Sequence, residues 1–553
     1  MLDTREVADL LQEYGERSAL RGGNPYRARA YRRAAENLLT LTKPLAEVID
    51  KGELNAVPGI GDKIADIVTK LARQGTHPSL ERLRRETPAG LVAMASIPGL
   101  RPRQIAKLRE LLGIESLVEL ERAAREGRIA KQKGLGSGLQ HKIIQGIEIK
   151  KQAAGKKHVH RAAALLDSAK HRIERDRPEL SDVTIAGDMR RGCELVADMR
   201  LVAAGPVKRV ETIESSADLK LVIAPKSRFG SALLLATGST AHVEQLQARA
   251  IARGMRLSAE GLMLNARRLA SKTEEEIYEA LDLQYIEPEL REGESEISLA
   301  EKRRLPKLVQ DTDVRGIVHA HTDESDGVDT LEELVRATVD HGYSYLAISD
   351  HSKSAHYAGG LTVEQIETQH REVARLNKRY GSETFRIFHG IESDILNDGS
   401  LDYPSSILRS FDFVIASVHS QFRKDVTSQT KRILNAVSNP HTTILGHLTG
   451  RQLLRRTGYE VDVEAVLRAC AKHRVAVEIN ANPWRLDLDW RWHRTASELG
   501  CMMSVDPDAH SVHEIEFTHW GVEVARKGGL PKERILSCLS LQEFQKYLRA
   551  RKR

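Results

Sequence analysis

His319-Ala320-His321, set directly after the apolar run Gly316-Ile317-Val318, opens a series that recurs through the last 240 or so residues of the chain. Asp326 comes next, then His351 after Tyr345-Leu346-Ala347-Ile348, and Glu392 after Phe385-Arg386-Ile387-Phe388. His419 follows Phe413-Val414-Ile415-Ala416, His447 follows Thr443-Ile444-Leu445, and Asp508-Ala509-His510 follows Met502-Met503-Ser504-Val505. Short apolar runs of this kind read as buried strands. Side chains alternate across a strand, so His319 and His321 are expected to share a face, as are Asp508 and His510.

Between the runs lie helical patterns: Leu331 to His341, Val363 to Tyr380, Thr427 to Val437, Asp462 to His473 and Asp489 to Leu499. A further strand, Val475-Ala476-Val477-Glu478-Ile479, completes the set. Strand and helix alternate about seven times, which predicts a parallel β/α barrel. Chemistry in such barrels gathers at the C-terminal ends of the strands, where these nine residues fall. Any one histidine is ordinarily a surface or hydrogen-bonded core residue; nine donors at successive strand ends are another matter. Imidazole and carboxylate without thiolate suit Zn²⁺, Mn²⁺ or Fe, and nine donors are enough for two or three ions. Such a cluster would bind phosphate oxygens and lower the pKa of a water.

The motifs HAHTDESDG (from His319), ISDHS (from Ile348), GIESDIL (from Gly390), ASVHS (from Ala416), GHLTGR (from Gly446) and DAHS (from Asp508) resemble those of PHP phosphoesterase domains. DGSLDYP (from Asp398) and EINANPWRLDL (from Glu478) resemble specifically the PHP domain of bacterial family X DNA polymerases. The resemblance implies a trinuclear Mn²⁺ or Zn²⁺ centre with 3′–5′ exonuclease activity and, in some members, AP-endonuclease or 3′-phosphatase activity. It implies His319, His321, Asp326, His351, Glu392, His419, His447, Asp508 and His510 as ligands. Glu392, His351 and Asp508 would be closest to the chemistry, with Glu392 bridging two ions. Arg451 and Arg485, near the strand mouths, are read either as phosphate contacts or as ion-pair partners.

At 553 residues, three or four domains are expected. An apolar content of 41% and a charged content of 29% describe a chain able to bury sizeable cores. The formal charge of +7 favours a polyanionic partner. Cys193, Cys470, Cys501 and Cys538 show neither pairing nor metal spacing, as expected in a reducing cytoplasm. The start, MLDTREVADLLQEYG, reads as a charged amphipathic helix rather than a signal peptide, and no apolar run is long enough to span a bilayer. The expectation is a cytoplasmic monomer.

Residues 1 to about 75 read as short helices, with basic residues and two tyrosines packed into Asn24 to Arg33. Val57-Pro58-Gly59-Ile60-Gly61-Asp62-Lys63 is a helix-hairpin-helix signature. Its glycines let a turn approach phosphate, and the N–H groups of the next helix can bind it. Ile97-Pro98-Gly99-Leu100-Arg101 is a second copy, with Arg101 in place of the second glycine; Lys133-Gly134-Leu135-Gly136-Ser137-Gly138 is a looser third. Three such turns point to DNA held by its backbone without sequence readout. This part resembles the 8-kDa and fingers regions of family X polymerases. Where members with lyase activity place a Schiff-base lysine, this chain has Ile67, which cannot form an imine.

Residues from about 157 to 310 are expected to form a mixed α/β domain. Gly187-Asp188-Met189-Arg190-Arg191-Gly192, leading to Asp198-Met199-Arg200, resembles the nucleotidyltransferase palm, whose three carboxylates hold two Mg²⁺ ions. Asp198 and Asp218 match two of them, but Arg200 replaces the third and Asp188 the phosphate-binding serine. Leu235-Ala236 replaces the tyrosine-phenylalanine pair before Thr237-Gly238-Ser239. The expectation is a polymerase fold with little or no polymerase activity and a compromised Mg²⁺ site.

The expected organisation is multidomain, α and α/β. It comprises a helical 8-kDa-like region to residue 80, a fingers-like hairpin region over 81–150, a palm and thumb over 151–295, a linker over 296–312 and a PHP (β/α)7 barrel over 313–553. The expected function is a metal-dependent DNA phosphoesterase acting on gapped or damaged DNA. Two other readings stand beside it: an active gap-filling polymerase with exonuclease, and a PHP-type small-molecule phosphatase.

Overall fold

A computed structural model describes residues 2–21, 25–41, 43–216 and 219–551 of the chain. The N-terminal helix Thr4–Leu20 opens with a reciprocal cap: the Asp3 carboxylate accepts the Glu6 N–H at 2.8 Å, and Glu6 accepts the Asp3 N–H at 2.9 Å. Its apolar face, Val7 and Leu11, packs with Leu38, Val68 and Leu71 in one small core. Ile67 lies in that core, which gives the missing lyase lysine a structural counterpart: an apolar side chain turned inward. A second helical core gathers Met94, Ile105, Leu108, Leu120 and Ile143.

All three glycine turns lead into helix starts. Gly59, Gly99, Gly134 and Gly136 have φ of 77°, 79°, 91° and 82°, a region that favours glycine. The helices Asp62–Gln74, Pro102–Leu112 and Ser137–Ala153 follow. Lys63 and Arg101 stand exposed at the first two starts.

A four-stranded sheet comes next, in the order Ser181–Ala186, Met199–Ala204, Leu219–Ala224, Glu211–Ser216. It is covered by the helices Val159–Asp176 and Phe229–Thr237. A smaller three-stranded antiparallel sheet, Met255–Ser258 to Arg267–Ala270, follows with the helix Glu274–Ala280.

The C-terminal region is a barrel of seven parallel strands in sequence order: Gly316–Ala320, Tyr345–Ile348, Arg386–Asp394, Phe413–Ser417, Ile444–Leu445, Ala476–Asn480 and Met503–Asp506. The first and last strands meet beyond their ends, where the His321 N–H donates to the Ala509 carbonyl at 2.8 Å and the Ala509 N–H to the His319 carbonyl at 3.2 Å. At the N-terminal end, Phe544 of the C-terminal helix stacks on Tyr345 with ring centroids 4.4 Å apart. Apolar packing fills that end; polar residues occupy the other.

Two local expectations are corrected. The third strand runs nine residues, so Glu392 lies within it rather than beyond it; its first half pairs with Tyr345–Ile348 and its second with Phe413–Ser417. The segment expected as one helix over Asp489 to Leu499 begins as the single turn Trp490–Trp492, capped by the Asp489 carboxylate, and continues as the short helix His493–Glu498. Within the stretch 296–312, Val309 is fully buried and its N–H donates to the Leu530 carbonyl at 3.0 Å. No helix among the described residues is long and apolar enough to cross a membrane.

Candidate metal centre

The nine residues singled out from the strand ends converge at the polar end of the barrel. Strict strand alternation is not what brings them there. The first strand breaks register between Val318 and Ala320, with His319 at φ 63°, and Asp508 at φ 52° lies past the end of its strand. Left-handed backbone at residues with bulky or charged side chains costs energy and persists where surrounding structure imposes it, often at functional sites.

Eight of the nine fall into three groups, each able to offer atoms within 4.8 Å of one another: His321, Asp326, His351 and His510; His319, His321 and Asp508; His351, Glu392 and His419. The ninth, His447, lies with Nε2 3.1 Å from Glu392 Oε1. The Glu392 carboxylate is central, with His351 Nδ1 at 2.9 Å, His419 Nε2 at 3.3 Å, His319 Nε2 at 3.5 Å and His321 Nε2 at 3.8 Å. Asp508 lies 3.2 Å from His321 Nε2, and Asp326 lies 3.3 Å from His510 Nε2 and 3.4 Å from His351 Nε2.

A second tier of carboxylates, absent from the sequence-derived set, orients the first. Glu478, fully buried on the sixth strand, accepts from Nδ1 of His319 and from the His447 N–H. Asp394 lies 2.6 Å from Nδ1 of His419. Asp350 accepts the Thr322 N–H at 2.8 Å and the Ser325 hydroxyl at 2.5 Å, bracing the loop that carries Asp326. The signal for Glu478 was present: a lone carboxylate inside the apolar run Val475 to Ile479.

Charge is partitioned sharply within the cluster. Burial favours the neutral forms, but His419, His351 and His319 hold the Glu392 carboxyl well below its usual range. Burial also opposes charge on His419, yet Glu392 and Asp394 push its pKa up to about 10. Burial and the neighbouring His510 and His351 lower His321 to about 3, leaving it a neutral imidazole.

The donor set fits divalent cations. Among the described residues, Nε2 of His319, Nδ1 of His321, His351 and His447, and Oε2 of Glu392 are buried without a hydrogen-bond partner. His351 Nδ1 and Glu392 Oε2 lie only 2.9 Å apart yet form no aligned hydrogen bond. Native proteins seldom bury polar atoms in this state unless an ion or ligand completes them. Nitrogen and oxygen donors without thiolate match Zn²⁺ or Mn²⁺.

The two arginines proposed near the mouth separate. Arg451 is committed to structure: it pairs with Asp489 at 2.6 Å and donates to the Arg485 and Leu486 carbonyls. Arg485 stands 3.6 Å from Asp508 and remains able to meet a phosphate. The third hairpin touches the barrel. Arg423, four residues after His419, donates to the Gly138 carbonyl at 3.3 Å.

The palm-like region is arranged differently. Arg200 pairs with Asp198 at 2.7 Å and lies in register with Lys220 on the neighbouring strand. Asp218 lies outside the described residues. Asp188 does not face a ligand space: its carboxylate accepts the Ala197 and Asp198 N–H groups at 2.9 and 2.8 Å and pairs with Arg191. Arg191 in turn donates to the Thr237 carbonyl, just before Gly238, at 2.7 Å and pairs with Glu292 at 3.0 Å. Arg190 and Arg291 both grip Glu274. From the barrel, the buried Lys527 reaches Glu292 at 2.5 Å and the Arg191 carbonyl at 3.0 Å.

Comparison with known proteins gives three family matches: a helix-hairpin-helix domain over residues 3–77, a DNA polymerase beta thumb over 232–292 and a PHP domain over 318–482. The chain is 31% identical to the DNA polymerase/3′-5′ exonuclease PolX of Bacillus subtilis (strain 168), over 99% of either chain. It is 29% identical to a probable phosphatase of Thermoanaerobacter sp. (strain X514) over 45% of this chain and 97% of that one. A probable phosphatase of Vibrio campbellii is 28% identical, over 42% of this chain and 92% of that one.

Proposed function

The chain belongs to the bacterial family X DNA polymerases that carry a C-terminal PHP domain, and from that premise we propose that its principal activity is metal-dependent hydrolysis of DNA phosphodiesters, as a 3′–5′ exonuclease in repair. The observation that carries this reading is the convergence of nine residues, five of which (His319, His321, His351, His447 and Glu392) each bury a nitrogen or oxygen without a hydrogen-bond partner. His319, His321, Asp326, His351, Glu392, His419, His447, Asp508 and His510 would hold two or three Mn²⁺ or Zn²⁺ ions. Those ions, when bound, supply charge that draws in phosphate oxygens and acidity that readies a water for attack.

The protein's own residues do the rest. Glu392, at the middle of the donors, would help hold the ions, and it, His351 and Asp508 would lie closest to the chemistry. Glu478 and Asp394 hold the rings of His319 and His419 at their Nδ1 atoms. Arg485 would steady a non-bridging phosphate oxygen. The hairpins at Gly59, Gly61 and Lys63, at Gly99 and Arg101, and at Gly134, Gly136 and Gly138 would hold backbone phosphate; the contact of Gly138 with Arg423 supports a strand led from the third hairpin toward the centre. AP-endonuclease and 3′-phosphatase chemistry needs no different constellation. The match to a bacterial DNA polymerase supports a cytoplasmic site of action.

Polymerisation is a weaker fit. Two cations, Arg200 and Lys220, stand side by side where divalent metal would be gripped, and the Asp188 to Arg191 turn is tied to the thumb instead of being open to a triphosphate. The likeness to a Bacillus subtilis DNA polymerase/3′-5′ exonuclease nevertheless makes an active polymerase the reading to test against. The phosphatase relatives match less than half of this chain, so small-molecule hydrolysis accounts for only part of it.

The test is Mn²⁺-dependent digestion of labelled single-stranded and gapped DNA by wild type and Glu392→Ala, beside primer extension on the same DNA. Digestion by wild type only, without extension, is expected. Digestion that survives in the variant would place the chemistry elsewhere, and robust extension would overturn the reading of Arg200.

A further inference from the structure

An exposed aromatic side chain stands at the rim of the metal centre on a mount built by residues the chemistry has not so far used. Tyr357 lies on the single turn His356–Ala358 and is 70% exposed. Its ring centroid is 6.2 Å from that of His351 and 6.3 Å from that of His419. One edge therefore leans over two of the candidate ligands while most of the ring faces solvent.

The loop carrying it is pinned at both ends. The Ser352 N–H donates to the Glu392 carbonyl at 2.9 Å, and the Leu361 N–H to the His351 carbonyl at 2.9 Å, closing the loop at its base. Asp402 accepts both the Ser354 N–H, at 2.6 Å, and the Ser354 hydroxyl, at 2.5 Å. The Tyr403 hydroxyl accepts the Lys353 N–H at 3.0 Å and donates to the Leu361 carbonyl. Asp402 and Tyr403 belong to the DGSLDYP string.

A ring so exposed buries little apolar surface, so stability gives no reason for fixing it this firmly. Contact with a substrate does. Every nucleobase offers a π face, and stacking on an aromatic side chain holds a strand without reading its sequence. A phosphate drawn to the centre carries its own nucleoside alongside, on the scale of the gap between Tyr357 and the two imidazoles.

We propose that Tyr357 is the stacking platform for the nucleobase at the end of the strand being cleaved, and that Asp402 and Tyr403 are positioning residues that hold it in place. The inference rests on the nuclease reading and narrows its substrate to ends that carry a base.

The test compares full-length wild type, Tyr357→Ala, Tyr357→Phe and Asp402→Ala with Mn²⁺ on three substrates. These are an oligonucleotide with an ordinary 3′ nucleotide, the same oligonucleotide ending in an abasic tetrahydrofuran residue, and bis-p-nitrophenyl phosphate. Tyr357→Ala should lower kcat/KM on the base-bearing end about 5- to 100-fold relative to the small ester, the range expected for one stacked base. Tyr357→Phe should restore it, Asp402→Ala should give a milder loss of the same kind, and the abasic end should not distinguish Tyr357→Ala from wild type. Equal losses on all three substrates, or no loss on the base-bearing end, would overturn the platform alone. Wild type that hydrolysed none of the three would overturn the nuclease reading and the platform with it.

Discussion

The carboxylate of Glu478 accepts a hydrogen bond from Nδ1 of His319, and this leaves Nε2 of that ring aimed between Glu392 and Asp508, 3.5 Å from each. The other Glu478 oxygen accepts the backbone N–H of His447. One buried side chain on the sixth strand thereby sets the orientation of two candidate ligands, one from the first strand and one from the end of the fifth.

Removing that charge should weaken metal binding without unfolding the barrel. Glu478→Gln is expected to lower Mn²⁺ affinity about 10- to 100-fold, the usual consequence of losing a carboxylate behind a ligating histidine. Titration calorimetry on the metal-stripped protein, with circular dichroism to verify the fold, measures it. Unchanged affinity would mean that His319 is not a ligand or needs no such partner.

Lys527 ties the barrel to the thumb. Its ammonium is almost wholly buried, lies against Glu292 and sits 4.7 Å from the centre of the Trp490 ring. Lys527→Met leaves Glu292 and the Arg191 carbonyl without their shared donor. A destabilisation of about 3 kcal/mol is expected, within the range for breaking a buried pair. Thermal unfolding should show a lower midpoint, and limited proteolysis should cut more readily between the two regions.

Acid should act on the thumb through Glu274. Burial alone would push its carboxyl up, but Arg291 and Arg190 bring the pKa down from 4.5 to about 2. A carboxylate held low in the folded state contributes stability that is fully present above its unfolded pKa and is lost as pH falls through the folded one. The contribution is on the order of 3 kcal/mol, lost between about pH 4.5 and 2. Denaturant midpoints measured across that window should fall steeply in wild type and less steeply in Glu274→Gln; parallel slopes would contradict the assignment.

Arg200 makes a prediction about the palm. Wild type should extend a primed gap roughly 10³-fold or more slowly than an intact two-metal palm, the cost of several kcal/mol of transition-state stabilisation. Arg200→Asp alone should restore little, because Asp188 and Arg191 still tie the phosphate-binding turn to Thr237 and Glu292. Incorporation assays with Mg²⁺ and Mn²⁺ on both proteins decide it.

The barrel and its nine donors were legible because each apolar run is short, continuous and followed at once by a histidine or carboxylate, so strand and site announce each other. Glu392 shows where that reading loosens: its strand runs past the apolar segment because polar residues continue it into the site. Glu478, Asp394 and Asp350 were passed over because a buried carboxylate one step from a ligand differs from the ligand only in what it faces. The Lys527–Glu292 tie, and the Arg423–Gly138 contact, join residues hundreds of positions apart through ordinary surface-type side chains, and no local pattern encodes them. Asp188 was read as standing in for the phosphate-binding serine; its carboxylate instead satisfies two backbone N–H groups at the turn.

The measurement closest to the central claim is the metal content of the purified chain. Wild type loaded with Mn²⁺ or Zn²⁺ and freed of excess should retain two or three ions per chain by elemental analysis, and Glu392→Ala, folded by circular dichroism, should retain at least one fewer. A wild type that held no ion, or a variant that held as many, would contradict the account.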